Sequence, residues 1–471
     1  MKKTKIICTM GPACENEETL EKMIKAGMNV ARLNFSHGDH AEHKRRVDMV
    51  KRVRERLGQP IALMLDTKGP EYRIGTFENH KITLSEGDEF TFTIEDCVGD
   101  EKHVSVSYKN LPHEMAVGDP ILLNNGLLEF KVTETTNKEI KTQVVIGGDL
   151  SDRKSMSFPG KTLKQEYLSE RDKEDILFGI ENDIDFIACS FVSVKEDILK
   201  IRQFLKDNGG EHIDLIAKIE NRSGVDNIED IIDVSDGIMV ARGDMGVEIP
   251  FEQLPAIQKH MITVCRLKGK RVITATEMLE SMITKPRPTR AEISDVANAV
   301  YDGTSAVMLS GETAAGIYPV EAVRAMAKIA EQTEKDINYV RRFRSAEFKI
   351  SSATDAISHA TCDLAIDLDA KLIVACSLSG RTARMVSRFR SPTPIIGLTT
   401  DERAWRKLSL SWAVLPMLTE EYQSTDVLFY NATRMAKESG MAGKGDVIVI
   451  TGGQTNGRSG NTTLVKYEVL K

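Results

Sequence analysis

The sequence predicts an α/β protein: a TIM (β/α)8 barrel, a small β-barrel domain inserted into it as a lid, and an α/β domain after it. Three observations predict this architecture. Strand and helix patterns alternate eight times between residues 2 and 345. From about 70 to 168 short period-two runs with frequent turns interrupt that alternation, and it resumes after 346. The predicted boundaries are 1–69 with 169–345 for the barrel, 70–168 for the lid and 346–471 for the C-terminal domain.

The barrel strands are predicted from short apolar runs that have helix-length segments between them. Three runs precede the insertion and five follow it, which gives the eight strands of a TIM barrel. A strand buried on both faces of a parallel sheet is apolar throughout, and these runs show that pattern. The predicted strands span 5–9, 29–35, 61–65, 186–189, 215–219, 237–241, 272–275 and 306–309, and the first two helices span 15–25 and 40–57.

The lid is predicted from alternating polar and apolar residues at 90–94, 104–106 and 141–146, with turns at 86–88, 117–119 and 124–126. Short strands with frequent turns are typical of a small antiparallel β-domain, and no helix is predicted there. In the C-terminal domain, strands are predicted at 372–375, 394–397, 413–415, 447–450 and 464–469. The charged segment 334–348 is expected to join this domain to the barrel.

The composition excludes several classes of protein. The chain has 471 residues, and 63 basic against 70 acidic residues give a net charge of −7, which argues against a dedicated nucleic-acid binder. No apolar run is long enough to cross a membrane, and no signal-peptide core is recognised. Seven cysteines without a CxxC pair suggest free thiols in a reducing compartment. We therefore expect a cytoplasmic protein that binds neither nucleic acid nor membranes.

Polar residues follow nearly every predicted barrel strand. In a TIM barrel the C-terminal ends of the strands meet at one face and form the active site. In strand order, the polar residues at these ends are Arg32, Asn34, Ser36, Asp66, Thr67, Lys68, Ser190, Lys218, Glu220, Arg242, Asp244, Thr276, Ser310 and Glu312. So many polar strand ends together predict an active site at this face.

Charge sorts these side chains into chemical roles. Glu220 and Asp244 offer hard oxygen ligands for Mg²⁺, and Lys218 beside them is a cation that can stabilise an enolate or a transferring phosphoryl group. Arg32 and Arg73 can bind a phosphate in fork geometry. The set suits a small, doubly anionic substrate bound with Mg²⁺, and either phosphoryl transfer or enolate chemistry.

Further groups extend this site. Oxygen atoms with a single carboxylate among them suit a weakly bound monovalent cation, and the residues that supply them are Asn34, Ser36, Asp66 and Thr67. The turn at Gly243 and Asp244 could direct backbone N–H groups at a substrate carboxylate, and Thr276 could lie beside a reacting carbon. The sequence contains no P-loop, dinucleotide-binding or zinc motif, so a nucleotide would need a different kind of phosphate-binding segment.

On the residues alone, three functions remain open. The first is a phosphotransferase, the second a Mg²⁺-dependent lyase or aldolase acting on pyruvate enolate, and the third a phosphometabolite-binding protein with a decayed site. The lyase would share Lys218, Glu220 and Asp244 but would not need Arg73, the lid or a monovalent-cation site. The intact set of charged residues argues against a decayed site.

Eight sequence blocks, in the same order along the chain, resemble the pyruvate kinase family of bacteria. They are TMGP at 9–12, RLNFSHG at 32–38, LDTKGPE at 65–71, AKIEN at 217–221, MVARGD at 239–244, ITAT at 273–276, PRPTRAE at 286–292 and MLSGET at 308–313. The resemblance spans the whole chain, with the lid and the C-terminal domain included.

The resemblance implies transfer of the phosphoryl group of phosphoenolpyruvate to ADP, which gives pyruvate and ATP as the final step of glycolysis. It implies that Glu220 and Asp244 bind Mg²⁺ (or Mn²⁺), and that Ser310 with Glu312 forms a water relay that protonates the enolate. The family's catalytic residues match Arg32, Lys218, Thr276, Ser310 and Glu312. Its substrate contacts match Arg32, Lys218, Gly243, Asp244 and Thr276.

The resemblance also implies a nucleotide site, a K⁺ site and a homotetramer. The nucleotide contacts match Asn34, Phe35, Ser36, His37, Arg73 and Lys154. The K⁺ ligands match Asn34, Ser36, Asp66 and Thr67. Glu71 implies K⁺ dependence, because in this family a Lys at that place substitutes for the cation. The lid is expected to exclude water, so that the phosphoryl group goes to ADP.

The C-terminal domain is expected to bind a phosphorylated activator, a sugar phosphate or AMP. Hydroxyls, backbone N–H groups and Arg side chains come together after the strand at 372–375, where a helix is predicted to begin, and such a nest suits a phosphate. The segment also resembles the family's effector loop. The candidate contacts are Ser377, Ser379, Gly380, Arg381, Thr382 and Arg458.

Three places depart from the family pattern. Asn124-Asn125-Gly126 stands where Asp-Asp-Gly is usual, Glu277 stands where Gln is usual, and Tyr72 replaces an aliphatic residue. None of these changes removes a catalytic group. We therefore expect activity with an altered affinity for the nucleotide or the metal.

Overall fold

The structure, a computed structural model, describes residues 1–161, 163–421, 424–453 and 462–471. Eight parallel strands close into the predicted barrel, and strands consecutive in the ring are consecutive in the chain. The first strand pairs with both the second and the eighth. The strands are Lys5–Thr9, Val30–Asn34, Ala62–Asp66, Phe186–Cys189, Asp214–Ile219, Gly237–Ala241, Arg271–Ala275 and Ala306–Leu309. All eight overlap their predicted positions, because each apolar run is buried on both faces of this sheet.

Helices cover the outside of the barrel, and local signals set their ends. In the first helix, Glu17–Ala26, the Asn16 side chain accepts from the Thr19 amide at 2.8 Å, and Gly27 ends the helix with a φ of 124°. The other α-helices of this region are His40–Leu57, Glu170–Glu181, Lys195–Asp207, Arg222–Asp226, Ile228–Val234, Arg242–Glu248, Leu254–Lys268, Arg290–Asp302, Gly311–Ala314 and Pro319–Asp336. Short 3-10 turns lie at Pro12–Cys14, Phe251–Gln253 and Glu280–Ile283.

Apolar side chains fill the interior of the barrel. They include Ile7, Val30, Met64, Phe186, Met239, Ile273 and Met308, and each of them is buried. A second, larger core lies between the strands and the surrounding helices. Because the interior is packed, polar chemistry is confined to the ends of the strands.

The insertion forms its own small barrel, as predicted. The end strands of its seven-stranded sheet, Tyr72–Arg73 and His103–Ser105, meet where a bridge joins Ile74 to Val106. One turn of helix, Leu111–Glu114, lies in a region where no helix was predicted, since four residues are too few to show a helical period. The remaining strands are Lys81–Leu84, Glu89–Thr93, Pro120–Leu123, Leu128–Thr135, Glu139–Ile146, Gly148–Ser151 and Ser155–Ser157.

The C-terminal part has a five-stranded sheet in the residues that the structure describes. In spatial order its strands are Val414–Leu418, Ile395–Thr399, Leu372–Cys376, Val447–Gly452 and Leu464–Val469. The first four are parallel, and the last pairs antiparallel. Helices at Tyr339–Ser345, Ala353–Asp367, Arg381–Ser387, Glu402–Leu408 and Thr425–Glu438 accompany it.

Salt bridges join this C-terminal sheet region to the N-terminal ends of the barrel strands. Asp214, the first residue of the fifth strand, lies 2.7 Å from Arg271 and 2.8 Å from Lys407. Asp185 lies 2.7 Å from Arg406. The opposite, C-terminal face of the barrel is therefore left to the lid. Within the described residues, no helix is both long and apolar enough to cross a membrane.

Candidate active site

Lys218 lies at the centre of a buried ionic cluster at the C-terminal face of the barrel. Its Nζ donates to Asp66 Oδ1 at 3.0 Å and to Ser190 Oγ at 2.7 Å, and it lies 2.9 Å from Glu220 Oε1. Asp66 Oδ2 accepts from Arg32 Nε at 2.6 Å. All five side chains are buried. The barrel thus brings the ends of its second, third, fourth and fifth strands together as the sequence predicted.

Charge pairing in this cluster overrides the effect of burial on Lys218 and Asp66. Burial alone would lower the pKa of Lys218, but the carboxylates of Asp66 and Glu220 hold that pKa above its ordinary value. Burial alone would raise the pKa of Asp66, but the Arg32 and Lys218 cations hold it below its ordinary value. Both groups are therefore charged at neutral pH.

Glu220 is a buried carboxylate whose negative charge is not fully compensated. Burial raises its pKa to about 7, while Lys218 lowers the pKa and Asp244 raises it. Its Oε2 accepts from the Phe191 amide at 2.6 Å. Asp244 lies in the first turn of the helix Arg242–Glu248 and lines the same cavity. Two carboxylates that face one cavity and repel each other suit a divalent cation with hard-ligand preference, so the donor set fits Mg²⁺.

Thr276 follows the seventh strand in a strained conformation. Thr276 and Glu277 have φ values of 66° and 54°, in the left-handed region that costs non-glycine residues about 1–3 kcal/mol each. The Thr276 hydroxyl donates to the Ala275 carbonyl at 2.6 Å and accepts from the Gly243 amide at 2.8 Å. This contact joins the end of the seventh strand to the start of the helix after the sixth, where the sequence predicts a turn.

A cavity of about 590 Å³ opens between the barrel mouth and the lid. Charged side chains from the barrel line one side, and Arg73, Lys154 and Asn125 from the lid line the other. Its size falls within the range of small-molecule sites. The arrangement can bind a small anionic substrate together with a second phosphorylated group.

A known protein family matches this chain over most of its length. The family described as "Pyruvate kinase, barrel domain" matches residues 1–323, which is more than half of the chain. The chain belongs to the pyruvate kinase family. The description "Pyruvate kinase, alpha/beta domain" matches residues 355–466 as well, so both ends of the chain have counterparts in this family.

Individual members of the pyruvate kinase family are similar over the full chain. A pyruvate kinase of Clostridium acetobutylicum is 46% identical over 473 residues and covers 100% of both chains. One of Staphylococcus aureus is 47% identical over 474 residues, which is 100% of this chain and 81% of that protein. A solved pyruvate kinase of Cryptosporidium parvum superposes with a TM-score of 0.95 at 38% identity and covers 100% of this chain and 96% of that one.

The residues that match the pyruvate kinase nucleotide contacts fall into two groups. Those that line the cavity are Asn34, Ser36, His37, Arg73 and Lys154. Phe35 faces the other way: its ring stacks on His43 with centroids 4.0 Å apart, and its carbonyl accepts from Arg171 at 3.2 Å. The second strand ends at Asn34, and Phe35 lies in a turn in which the His37 amide donates to the Asn34 carbonyl at 3.2 Å, so its ring packs against the surrounding helices.

The residues predicted for K⁺ also differ in their surroundings. Asn34 and Ser36 line the cavity. Both Asp66 oxygens already accept from cationic side chains. The Thr67 hydroxyl is buried and accepts from the Ser190 amide at 3.1 Å. The four residues therefore lie close together at the ends of the second and third strands, and Asn34 and Ser36 face the cavity.

Ser310 and Glu312 lie together at the end of the eighth strand. The buried Glu312 carboxylate accepts from the Leu279 amide at 3.0 Å and from the Ser310 amide at 2.7 Å. Burial raises the pKa of Glu312, and the amide hydrogen bonds oppose that shift. Glu312 therefore holds the loops after the seventh and eighth strands together.

The three departures from the pyruvate kinase pattern lie in different places. Asn124 and Asn125 form a left-handed turn with φ values of 52° and 57° and line the main cavity from the lid. Tyr72 lines the same cavity and packs edge-on against Phe158, with centroids 5.4 Å apart. Glu277 lines a neighbouring cavity of about 900 Å³.

The predicted effector loop has internal contacts in this structure. The Thr382 amide donates to Ser377 Oγ at 3.2 Å, and the Thr382 hydroxyl lies 2.8 Å from that of Thr462. Ser379, Gly380 and Arg381 line a cavity of about 270 Å³ that also contains barrel residues. The last predicted contact, Arg458, lies outside the described residues.

Ser190 belongs to the ionic cluster; the sequence placed it among the polar strand ends but assigned it no role. Its hydroxyl donates to the Thr67 carbonyl at 2.7 Å and accepts from Lys218 at 2.7 Å. Its position directly after the fourth strand is the signal that identified it. Arg242 was likewise named only as a polar strand end, since its contacts lie between separate segments and leave no pattern in the sequence from which a role could be assigned.

Proposed function

We propose that this chain transfers the phosphoryl group of phosphoenolpyruvate to ADP and so forms pyruvate and ATP. The observation that carries the proposal is Lys218, a buried ammonium between the carboxylates of Asp66 and Glu220 at the wall of the 590 Å³ cavity. Arg32 adds a second fixed cation. Fixed cations beside hard oxygen ligands suit a phosphorylated carboxylic acid. Membership of the pyruvate kinase family supports the same reaction.

In this reaction the bond between phosphorus and the enol oxygen breaks, and a bond forms between phosphorus and a β-phosphate oxygen of ADP. The remaining enolate takes a proton at its terminal carbon and becomes pyruvate. Lys218 places positive charge where negative charge develops on the enol oxygen, and its raised pKa keeps it protonated. Such a step depends on positioning and charge neutralisation.

We assign the other reacting groups to the strand ends that face Lys218. The N–H groups of Gly243 and Asp244 would bind the substrate carboxylate, and Thr276 would lie beside the reacting carbon. Ser310 would pass a proton to the enolate through water. Glu312, which two amides fix in place, would then orient Ser310.

The metals of the family have matching residues in this chain. Glu220 and Asp244 would hold Mg²⁺ (or Mn²⁺), which supplies positive charge to the phosphoryl oxygens when bound. For K⁺ we propose Glu71 as the residue that makes the cation necessary. The proposed K⁺ ligands are Asn34, Ser36, Asp66 and Thr67.

ADP would bind between the barrel and the lid. The proposed contacts Asn34, Ser36, His37, Arg73 and Lys154 line that space. Phe35 would act through its backbone and through the packing of its ring. With ADP in place the lid would exclude water, which otherwise competes for the phosphoryl group.

Regulation, assembly and location follow as expectations from the family and the sequence. We propose a homotetramer whose C-terminal domain binds a phosphorylated activator near Ser377 to Thr382. A cytoplasmic location would suit seven cysteines that form no disulfide in the described residues. Thr382→Glu would place a carboxylate at the proposed phosphate site, so activation by a panel of phosphorylated metabolites should disappear. Unchanged activation would place the activator elsewhere.

Pyruvate formation from phosphoenolpyruvate, ADP, Mg²⁺ and K⁺ tests the reaction. Lys218→Met should lower kcat on the order of 100-fold or more, because a fixed charge at the transition state is lost. Lys270→Met is a matched control: Lys270 is partly buried and donates to the Ser235 carbonyl at 2.5 Å, at the opposite end of the barrel. Its kcat should stay at the wild-type value. A wild-type protein that forms no pyruvate would refute the proposal, and near-normal kcat in Lys218→Met would remove Lys218 from the mechanism.

A further inference from the structure

Arg242 joins three separate segments near the proposed substrate. Its Nη2 donates to the Thr276 carbonyl at 2.6 Å, and its Nε is 3.2 Å from the same oxygen and 3.3 Å from the Ala275 carbonyl. Its Nη1 donates to Asp295 Oδ1 at 2.7 Å. The Arg242 side chain is 14% exposed. One guanidinium thus spans the ends of the sixth and seventh strands and the helix Arg290–Asp302.

The segment that Arg242 holds is strained. Thr276 and Glu277 have consecutive positive φ values, and a left-handed conformation is a genuine outlier for a β-branched residue such as Thr. Backbone of this kind persists only where the surrounding structure fixes it. The carbonyl oxygens of Ala275 and Thr276, at the start of the strained turn, are the atoms that the guanidinium binds. Arg242 therefore restrains the turn at the point where it leaves the strand.

This restraint sets the position of the Thr276 hydroxyl. That hydroxyl accepts from the amide of Gly243, the residue that follows Arg242 in the chain. Arg242 thus binds the Thr276 carbonyl oxygen, while the Gly243 amide binds the Thr276 hydroxyl. The relative position of Thr276 and Gly243, both proposed substrate contacts, depends on these two attachments.

Arg242 does not line the main cavity. It lines the neighbouring cavity of about 900 Å³, together with Glu277 and Asp295, whereas Lys218 and Glu220 line the cavity of about 590 Å³. The Arg242 contacts given above are to the Ala275 and Thr276 carbonyls and to Asp295, so its influence on substrate would pass through the Thr276 turn. These contacts assign it a positioning role and not a catalytic one.

We propose that Arg242, held by Asp295, is a positioning residue that fixes the Thr276 turn for phosphoenolpyruvate. This inference rests on the proposed function. Loss of the Arg242 guanidinium misplaces Thr276 relative to Gly243 and so lowers kcat/KM for phosphoenolpyruvate. The proposed ADP contacts lie at the end of the second strand and on the lid. The Arg242 contacts described above involve neither region, so KM for ADP is preserved.

The test compares KM and kcat for each substrate, with the other substrate saturating. Arg242→Gln, which loses the fork, should lower kcat/KM for phosphoenolpyruvate on the order of 10- to 100-fold, since small misplacements near a reacting centre have effects of that size. KM for ADP should change less than twofold. Arg242→Lys keeps the charge but not the fork and should fall between Arg242→Gln and the wild type.

A second pair of variants approaches the same contact from Asp295. Asp295→Ala removes the anchor of the guanidinium and should lower kcat/KM for phosphoenolpyruvate, whereas Asp295→Asn keeps an acceptor and should restore most of it. Arg202→Lys is the matched control, because Arg202 also donates to a carbonyl (Val234, 2.8 Å) and a carboxylate (Asp236, 3.1 Å), at the other end of the barrel. That variant should keep the wild-type constants.

The outcomes separate this inference from the proposed function. If Arg242→Gln does not fold, the Asp295 pair decides. The inference is overturned if Arg242→Gln and Asp295→Ala keep wild-type kcat/KM for phosphoenolpyruvate, or if both substrates are affected equally, as general destabilisation would produce. Both results require an active wild type, so an inactive wild type would count against the proposed function and not against the Arg242 contact.

Discussion

Lys218 Nζ and Asp66 Oδ1 lie 3.0 Å apart at the barrel mouth, although 152 residues separate them in the chain. The fourth strand lies between their two strands and contributes Ser190, which contacts both side chains. Asp66 also binds Arg32, so a single buried carboxylate holds two cations beside the proposed substrate. Without it Arg32 would lose this ion pair, and Lys218 would keep its contact with Glu220.

Asp66→Asn should therefore damage both stability and activity. Removing one partner of a buried ion pair costs about 3–5 kcal/mol, because the remaining charges stay buried. We expect a lower thermal unfolding midpoint and a kcat reduced on the order of 100-fold, measured by differential scanning calorimetry and pyruvate formation. Asp226→Asn removes an exposed carboxylate 2.9 Å from Arg222 and serves as the control, with little change expected in either quantity. An Asp66→Asn protein as stable as the wild type would contradict this account.

Glu71 should make the activity dependent on K⁺. Its carboxylate contacts Arg73 and lies 3.9 Å from Lys68, at the wall of the main cavity. Initial rates in KCl should exceed those in NaCl or Tris alone. Glu71→Lys supplies a fixed cation in the same region, so its rate should lose this dependence. Equal rates of the wild-type protein in all three buffers would show that no monovalent cation is needed.

The lid turn at Asn124 and Asn125 should tolerate carboxylates. Asn and Asp both enter the left-handed region more readily than most residues, and this turn has φ values of 52° and 57°. The double variant Asn124→Asp with Asn125→Asp should keep its melting temperature. Because carboxylates could bind the waters of nucleotide-bound Mg²⁺, we expect a lower KM for ADP at limiting Mg²⁺. An unchanged or higher KM would show that the family's acidic pair has no such role here.

The buried Lys5 should make stability rise with pH. Burial lowers the pKa of Lys5 to about 7, Lys2 lowers it further and Glu334 opposes the shift, while Nζ donates to the Val414 carbonyl at 2.7 Å. Between pH 7 and about 10 the unfolded chain keeps the proton that the folded chain has lost. Stability should then increase with pH by about 1.4 kcal/mol per unit from this group.

Lys5→Met removes that contribution. The stability of this variant relative to the wild type should be highest at pH 7 and should decrease toward pH 9, measured as unfolding free energy at each pH. Lys22→Met, at an exposed lysine 2.6 Å from Glu18, provides the control and should show no such trend. A constant difference between wild type and Lys5→Met across this range would show that Lys5 stays protonated in the folded protein.

The barrel and the polar ends of its strands could be predicted from the sequence because each depends on a local pattern. Apolar runs mark the strands, and Lys218, Glu220 and Asp66 occupy their last positions or follow them directly. The direction of Phe35 depends instead on the turn that follows Asn34, which lies beyond the strand pattern.

Other parts of the site depend on contacts between distant segments. The left-handed turn at Thr276 has no local signature, as neither Thr nor Glu favours it. It exists because Arg242 and the Gly243 amide bind it from the neighbouring loop. The Leu279 amide that donates to Glu312 likewise comes from a distant segment.

The fifth strand, Asp214–Ile219, runs from the end of the barrel that faces the C-terminal domain to the end that faces the lid. Asp214 at its start is bound by Lys407 from the C-terminal domain, and Lys218 near its end carries the proposed catalytic charge. Four residues of extended chain span about 13 Å and can hardly be stretched. Because backbone pairing holds this strand to both of its neighbours, the contact with the C-terminal domain and the proposed catalytic charge are attached to one rigid element of the barrel.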